Sequence, residues 1–130
     1  MKYSNHFLLC GNPETGKSLL QNRVTQQIIE VPGSCLECQL DLEWGNLHLL
    51  FLSYDCPYEE ILWILLLSGQ GKIRSKRQLG PASGIAVFSS PRIVSAHTLE
   101  FQFDGPCRRR ATVSSWLFGM KIRMGLVGRE

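Results

Sequence analysis

Apolar residues along this chain gather into short runs broken by Gly, Pro and Asn, and the spacing within each run predicts the element it forms. His6-Phe-Leu-Leu-Cys10 is apolar without alternation and stops at Gly11, as a buried parallel strand does. From Lys17 to about Ile29 there is neither Pro nor Gly, and Leu19, Leu20, Arg23, Val24 and Gln27 recur at helical spacing, which predicts a helix. Val31-Pro-Gly-Ser34 is a turn, and Cys38 to Glu43 alternates with Leu40 and Leu42 on one face, a short strand. After a turn at Gly45-Asn46, Leu47-His-Leu-Leu-Phe-Leu52 forms a near-continuous apolar strand. Pro57 then stands at the start of a helix from Tyr58 to about Ser68, stopped by Gly69 and Gly71.

The second half is more broken. Lys72 to Gln78 is basic and partly alternating, and Gly80-Pro81 ends it. Gly84-Ile-Ala-Val-Phe88 is a third buried-strand segment, Leu99, Phe101 and Phe103 alternate with Glu100, Gln102 and Asp104, and Val113 to Ile122 forms a final apolar element. No repeat or low-complexity tract is present.

Composition narrows the class. With 130 residues, 44% hydrophobic and 19% charged, the chain reads as one folded domain, 1–130. Its net charge of +3 is unevenly placed: residues 1–70 hold 3 basic and 8 acidic side chains, residues 71–130 hold 11 basic and 3 acidic. A basic half suggests a polyanionic partner, because Lys and Arg displace condensed counterions from phosphates. Five cysteines without a signal peptide point to an intracellular protein. Cys35-Leu-Glu-Cys38 has redox or zinc spacing, but zinc would need a second ligand pair, and His48 and His97 do not make a recognisable one. The longest apolar run, Ile61 to Leu67, is too short to cross a bilayer and reads as a buried helix.

The motif that carries chemistry is Gly11-Asn12-Pro13-Glu14-Thr15-Gly16-Lys17-Ser18, a phosphate-binding loop in pattern. In such a loop the glycines let backbone N–H groups point at the β-phosphate, Lys17 neutralises β and γ oxygens, and the Ser18 hydroxyl ligates Mg²⁺. The helix expected from Lys17 adds its positive dipole end. The expected ligands are therefore ATP or another nucleoside triphosphate and Mg²⁺. Asp55, just beyond the Leu47–Leu52 strand, is the carboxylate placed to hold Mg²⁺ or orient water; a turn aspartate before Pro57 is the alternative. No Asn-Lys-x-Asp base-reading motif is present, which excludes a small GTPase.

Taken together, these segments resemble the superfamily 3 helicase domain of replication-associated (Rep) proteins from circular single-stranded DNA viruses, the circovirus type most closely. Gly11–Ser18 stands where that family has its Walker A. Pro57-Tyr-Glu-Glu-Ile-Leu62 looks like the segment after Walker B, and Ile73-Arg-Ser-Lys76 is similar to the family's Val-x-x-Lys. Ala86-Val-Phe-Ser-Ser90 takes the place of the motif C strand, and Arg108-Arg-Arg-Ala-Thr-Val113 that of the arginine segment before the last strand. The family's adjacent acidic pair at Walker B is absent, and Ser90 stands in place of its motif C asparagine.

The resemblance implies an α/β P-loop NTPase of AAA+-like type, with a mostly parallel sheet flanked by helices. It implies an ATP-binding and ATP-hydrolysing helicase-type module, with Asp55, Ser90 and Arg109 in catalytic roles and Ser18 and Asp55 at the metal. Lys72, Arg74, Lys76 and Arg77 would touch single-stranded DNA, the active form would be a homo-oligomer, and the location would be the host nucleus. The family's upstream nuclease segment is not in this sequence, so no nicking activity is expected. Two other readings stay open: a non-catalytic nucleotide- or DNA-binding adaptor, and a small phosphotransferase with Lys72–Arg77 as its lid.

Overall fold

The computed structural model describes residues 1–12, 17–43, 46–56, 59–82, 86–105, 108–116 and 119–126. They form twelve strands: β1 (Lys2–Tyr3), β2 (Phe7–Asn12), β3 (Lys17–Asn22), β4 (Ile28–Pro32), β5 (Cys35–Asp41), β6 (Leu47–Cys56), β7 (Glu59–Ser68), β8 (Ile73–Ala82), β9 (Ser89–Ser95), β10 (Thr98–Gln102), β11 (Arg109–Trp116) and β12 (Gly119–Leu126). There is no helix among the described residues. A central sheet runs β1-β5-β6-β7-β8, a four-stranded sheet runs β12-β11-β10-β9, and a small sheet runs β2-β3-β4. Every pairing is antiparallel. The expected α/β fold with a mostly parallel, helix-flanked sheet is thereby corrected to an all-β one.

The central sheet explains why the apolar runs do not alternate. On β6 and β7, Leu49, Phe51, Leu62, Ile64 and Leu66 face the four-stranded sheet, where Leu99, Phe101, Ala111, Val113 and Ile122 meet them, with Phe88 from the segment before β9. The intervening Leu50, Leu52, Leu65 and Leu67 face the small sheet and pack on Phe7, Leu20 and Val31. A strand covered on both faces is apolar at every position. Ile61–Leu67, expected as a buried helix, is such a strand: the run is too short for periodicity to separate the two states. Phe51, Phe88 and Phe101 form a ring cluster in the larger core, with centroids 5.2 to 5.4 Å apart.

The helix expected from Lys17 to Ile29 is instead a hairpin. Along β3, Ser18 and Leu20 are buried while Lys17 and Leu19 are exposed, the period of a half-covered strand. The turn is set by Asn22, whose side-chain oxygen accepts hydrogen bonds from the backbone of Val24 at 2.9 Å and Thr25 at 3.2 Å. Gln26 takes a left-handed φ of 66° and donates its N–H to the Asn22 carbonyl. Local side-chain bonding of this kind overrides a modest helical spacing.

Gly33 carries the chain from the small sheet into the central one. Its φ is +92°, and a Cβ there would lie 3.0 Å from the Ser53 carbonyl oxygen and 3.2 Å from Leu52 Cβ. Only glycine meets both demands. Other segments fall nearer expectation: Cys38 to Glu43 lies largely within β5, and Leu99 and Phe101 are the inward residues of β10. The final apolar element is a hairpin, β11–β12. Ala86 and Phe88 are buried but precede β9 rather than forming a parallel strand, and the helix start at Pro57-Tyr58 lies outside the described residues.

Leu65 is fully buried under the small sheet alone. Leu65→Ala should cost about 2–5 kcal/mol in urea unfolding. A loss below about 1 kcal/mol would mean that this second layer does not cover the central sheet.

Candidate functional site

The phosphate-loop motif falls at a hairpin end. Gly11 and Asn12 finish β2, Lys17 and Ser18 begin β3, and the register pairs Gly11 with Ser18 and Asn12 with Lys17. Pro13, Glu14, Thr15 and Gly16 lie outside the described residues. No helix N-terminus follows Lys17, so the dipole expected to face a phosphate is absent. The Ser18 hydroxyl is buried and donates to the Gly33 carbonyl at 2.6 Å, a bond that ties β3 to the glycine crossing. Lys17 is exposed, with its Nζ 3.7 Å from the Glu30 carboxylate.

The other expected site residues are spread over different sheets. Asp55 lies in β6 opposite Glu60, in the central sheet. Ser90 lies in β9 with φ 52°, and its carbonyl accepts a hydrogen bond from Arg108 Nη2 at 2.7 Å. Arg109, at the start of β11, is ion-paired with Asp104. Lys72, Arg74, Lys76 and Arg77 are exposed, Lys72 just before β8 and the others along it. β8 ends the order of the central sheet, an edge position where charged side chains are a common guard against edge-to-edge pairing, and Ser75 on it accepts a hydrogen bond from the Ile122 N–H of β12. Cys38 is buried, and desolvation first, with Glu37 second, pushes its thiol up to about 11; it is an inert core thiol.

The structure does converge chemistry elsewhere, at His6, Asp41 and His48. Asp41 ends β5 and His48 lies opposite it on β6, so the hairpin places both side chains on one face. That face is the one the small sheet covers, and His48 occupies the position there that precedes Leu50 and Leu52. His6 arrives from the segment before β2. It is positioned by Gln39, whose side chain behaves as a strand partner for Phe7: Phe7 N–H donates to Gln39 Oε1 at 2.9 Å, and Gln39 Nε2 donates to the Phe7 carbonyl at 3.2 Å.

His48 Nδ1 lies 2.7 Å from Asp41 Oδ1, and His6 Nδ1 lies 3.2 Å from Asp41 Oδ2. The His48 side chain is 8% exposed and that of His6 40%, so the cluster runs from core to surface. The Phe7 ring meets His48 edge-on at 4.9 Å, and the two imidazoles cross at 5.7 Å. Desolvation alone would raise the Asp41 carboxyl, but the His48 hydrogen bond, the charges of both histidines and a Ser4 hydrogen bond outweigh it and hold Asp41 below its ordinary value. Beside the cluster is a cavity of about 420 Å³, lined also by Lys2, Glu43 and Asn46.

Two imidazoles and a carboxylate are a ligand set for a divalent transition ion. One ligand atom from each side chain lies within 4.8 Å of the others. Tetrahedral ligands about 2.1 Å from zinc stand roughly 3.5 Å apart, so the set would have to draw in to hold an ion, with the half-exposed His6 its least buried member. None of the three was singled out from the sequence as a ligand. The available signal was His48, a polar residue inside the apolar run Leu47–Leu52.

No protein-family model matches the chain, and neither curated proteins nor solved structures give a match. No helix among the described residues is long and apolar enough to cross a membrane.

Two measurements separate structural from chemical roles. Ser18→Ala should lower stability by about 1–2 kcal/mol by leaving the Gly33 carbonyl without its donor. Unchanged stability together with lost Mg²⁺-dependent ATP affinity would instead assign Ser18 to a metal. Asp41→Asn should cost about 1–3 kcal/mol near neutral pH. Because the folded state depresses the Asp41 pKa, that stabilisation is present above the unfolded value of about 3.9 and is lost as pH falls through the lower folded value. The wild-type advantage in urea should therefore shrink below about pH 4, and an advantage equal at pH 7 and at acid pH would show that Asp41 acts by shape alone.

Proposed function

We propose that this chain is a metal-binding protein whose centre is His6, Asp41 and His48, taking a divalent transition ion of the zinc class. The observation that carries the reading is the convergence of three ligand-type side chains from three separate segments beside a cavity. Absence of thiolate from the set favours zinc, cobalt or nickel over copper(I), and the two imidazoles disfavour magnesium and calcium, which prefer oxygen. Three protein ligands leave a position open on a four-coordinate ion, the arrangement of sites that bind water or a small ligand. The three side chains line the cavity, together with one cation, Lys2, and one further carboxylate, Glu43.

Nucleotide binding at Gly11–Ser18 is a second proposal, and with it the helicase-type activity on DNA. It is supported by the eight-residue motif and by the exposed Lys17 cation at the foot of the loop.

The metal reading is tested by calorimetric titration of Zn²⁺, and by the visible spectrum with Co²⁺, into chelator-treated protein. One equivalent should bind, and His6→Ala should weaken binding at least about a hundredfold, since even second-sphere changes cost 10–100-fold. His6 is partly exposed, so the variant keeps its fold. His97→Ala, which removes the third histidine of the chain, should leave affinity unchanged. Equal affinity in wild type and His6→Ala would make the cluster a structural ion pair only.

A further inference from the structure

The outer face of the four-stranded sheet concentrates arginine around one acid. Glu100, on β10, is 3% exposed and stands opposite Arg92 on β9 and Arg110 on β11. Arg92 Nη2 donates to its Oε1 at 2.6 Å and Arg110 Nη2 to its Oε2 at 2.8 Å. Arg108 Nε lies 3.6 Å from Oε1, and this nitrogen is buried without a hydrogen-bond partner. Hydrogen bonds from Arg110 and then Arg92 hold the Glu100 carboxyl below its usual range, so it remains an anion. One carboxylate thus fixes three guanidinium groups and neutralises one of them. Positive charge is left in excess, on side chains already ordered and half-exposed, with 59% of Arg92 and 48% of Arg110 in solvent.

The next strand adds a recess. Arg110 is paired with Gly125 on β12, and Thr112 with Arg123. The missing side chain at Gly125 leaves a hollow of about 180 Å³ bounded by Arg110, Thr112 and Arg123. A Cβ built on Gly125 meets nothing within 4 Å, so this glycine is not required by packing. Two guanidinium groups and a hydroxyl at the rim of an open recess form a donor set for a phosphate group.

We propose that this face binds the phosphodiester backbone of a polynucleotide, with one phosphate in the hollow between Arg110 and Arg123 and a neighbouring one on Arg92. A polymer is favoured over a single phosphate because the arginines extend across β9, β11 and β12, beyond the reach of one group. The polar groups that line the hollow and flank Glu100 are guanidinium ions and a hydroxyl, donors suited to phosphate oxygens. Binding is therefore to the backbone, independent of sequence and steeply dependent on salt.

The test is fluorescence anisotropy of the full chain with a labelled mixed-sequence oligonucleotide at two salt concentrations, using Gly125→Glu, Gly125→Ala and Arg123→Gln. Wild type should bind, with affinity falling steeply as salt rises. Gly125→Glu sets a carboxylate in the hollow without a clash and should weaken binding at least about tenfold, while Arg123→Gln should reduce the salt slope by about 1. Gly125→Ala should bind as wild type does. Wild-type affinity in Gly125→Glu overturns the proposal. So does loss of binding only in a Lys76→Gln, Arg77→Gln variant of β8, which would move the contact to that edge. Full competition by millimolar inorganic phosphate, with no gain in affinity as the oligonucleotide lengthens, overturns it too and makes the ligand a small phosphate.

Discussion

The fold depends on a central sheet that is apolar on both faces. β6 and β7, ten residues each, form an antiparallel pair in which neighbouring residues are buried on opposite sides: Leu49 and Phe51 against the four-stranded sheet, Leu50 and Leu52 against the small one. Such a pair cannot rest in water with either side open, because each uncovered leucine would forfeit about 1.5–3 kcal/mol of burial. Two further sheets are the consequence. The short β2-β3-β4 sheet is a cover for one side, held by Phe7, Leu20 and Val31 and pinned at its ends by Gln39 and by the Ser18 to Gly33 bond.

This constraint also produces the candidate site. His48 sits on the small-sheet face at the end of the buried strand, where a polar ring without a partner would be costly. Asp41, opposite it, supplies the partner, and the carboxylate so fixed draws His6 from the first segment of the covering sheet. The cluster is therefore placed by the same register that builds the core. A ligand set made this way is ordered before anything binds, which reduces the entropy that binding must remove.

Part of this was legible in the sequence. The turn at Val31–Ser34, the strands near Cys38–Glu43 and Leu47–Leu52, and the alternation at Leu99 and Phe101 all follow from local pattern; the expected turn at Gly45-Asn46 falls partly outside the described residues. Fold class did not, for two physical reasons. Ile61–Leu67 is apolar because both its faces are covered, and at seven residues neither period can be read from it. Lys17–Ile29 has helical spacing, but its state is decided by the Asn22 side chain bonding to Val24 and Thr25. The motif Gly11–Ser18 gains its meaning from a following helix, so the error in that element spread to the whole architecture. Of the His6–Asp41–His48 cluster, only the anomaly of His48 was visible, because His6 reaches Asp41 through a packing of sheets that no local pattern encodes.

The uneven charge of the linear sequence becomes a division between layers. Residues before 71 build the small sheet and most of the central one, and they carry the acidic excess; residues from 71 onward build β8 and the four-stranded sheet, and they carry 11 of the 14 cations. The His6–Asp41–His48 cluster and the arginines about Glu100 thus lie on opposite layers, with the central sheet between them. At physiological ionic strength fields decay over about 8 Å, and stacked sheets stand about 10 Å apart, so across two interfaces the arginines exert little pull on Asp41. A cation at the histidines and a polyanion at the arginines would therefore meet separate electrostatic environments, each set by its own layer.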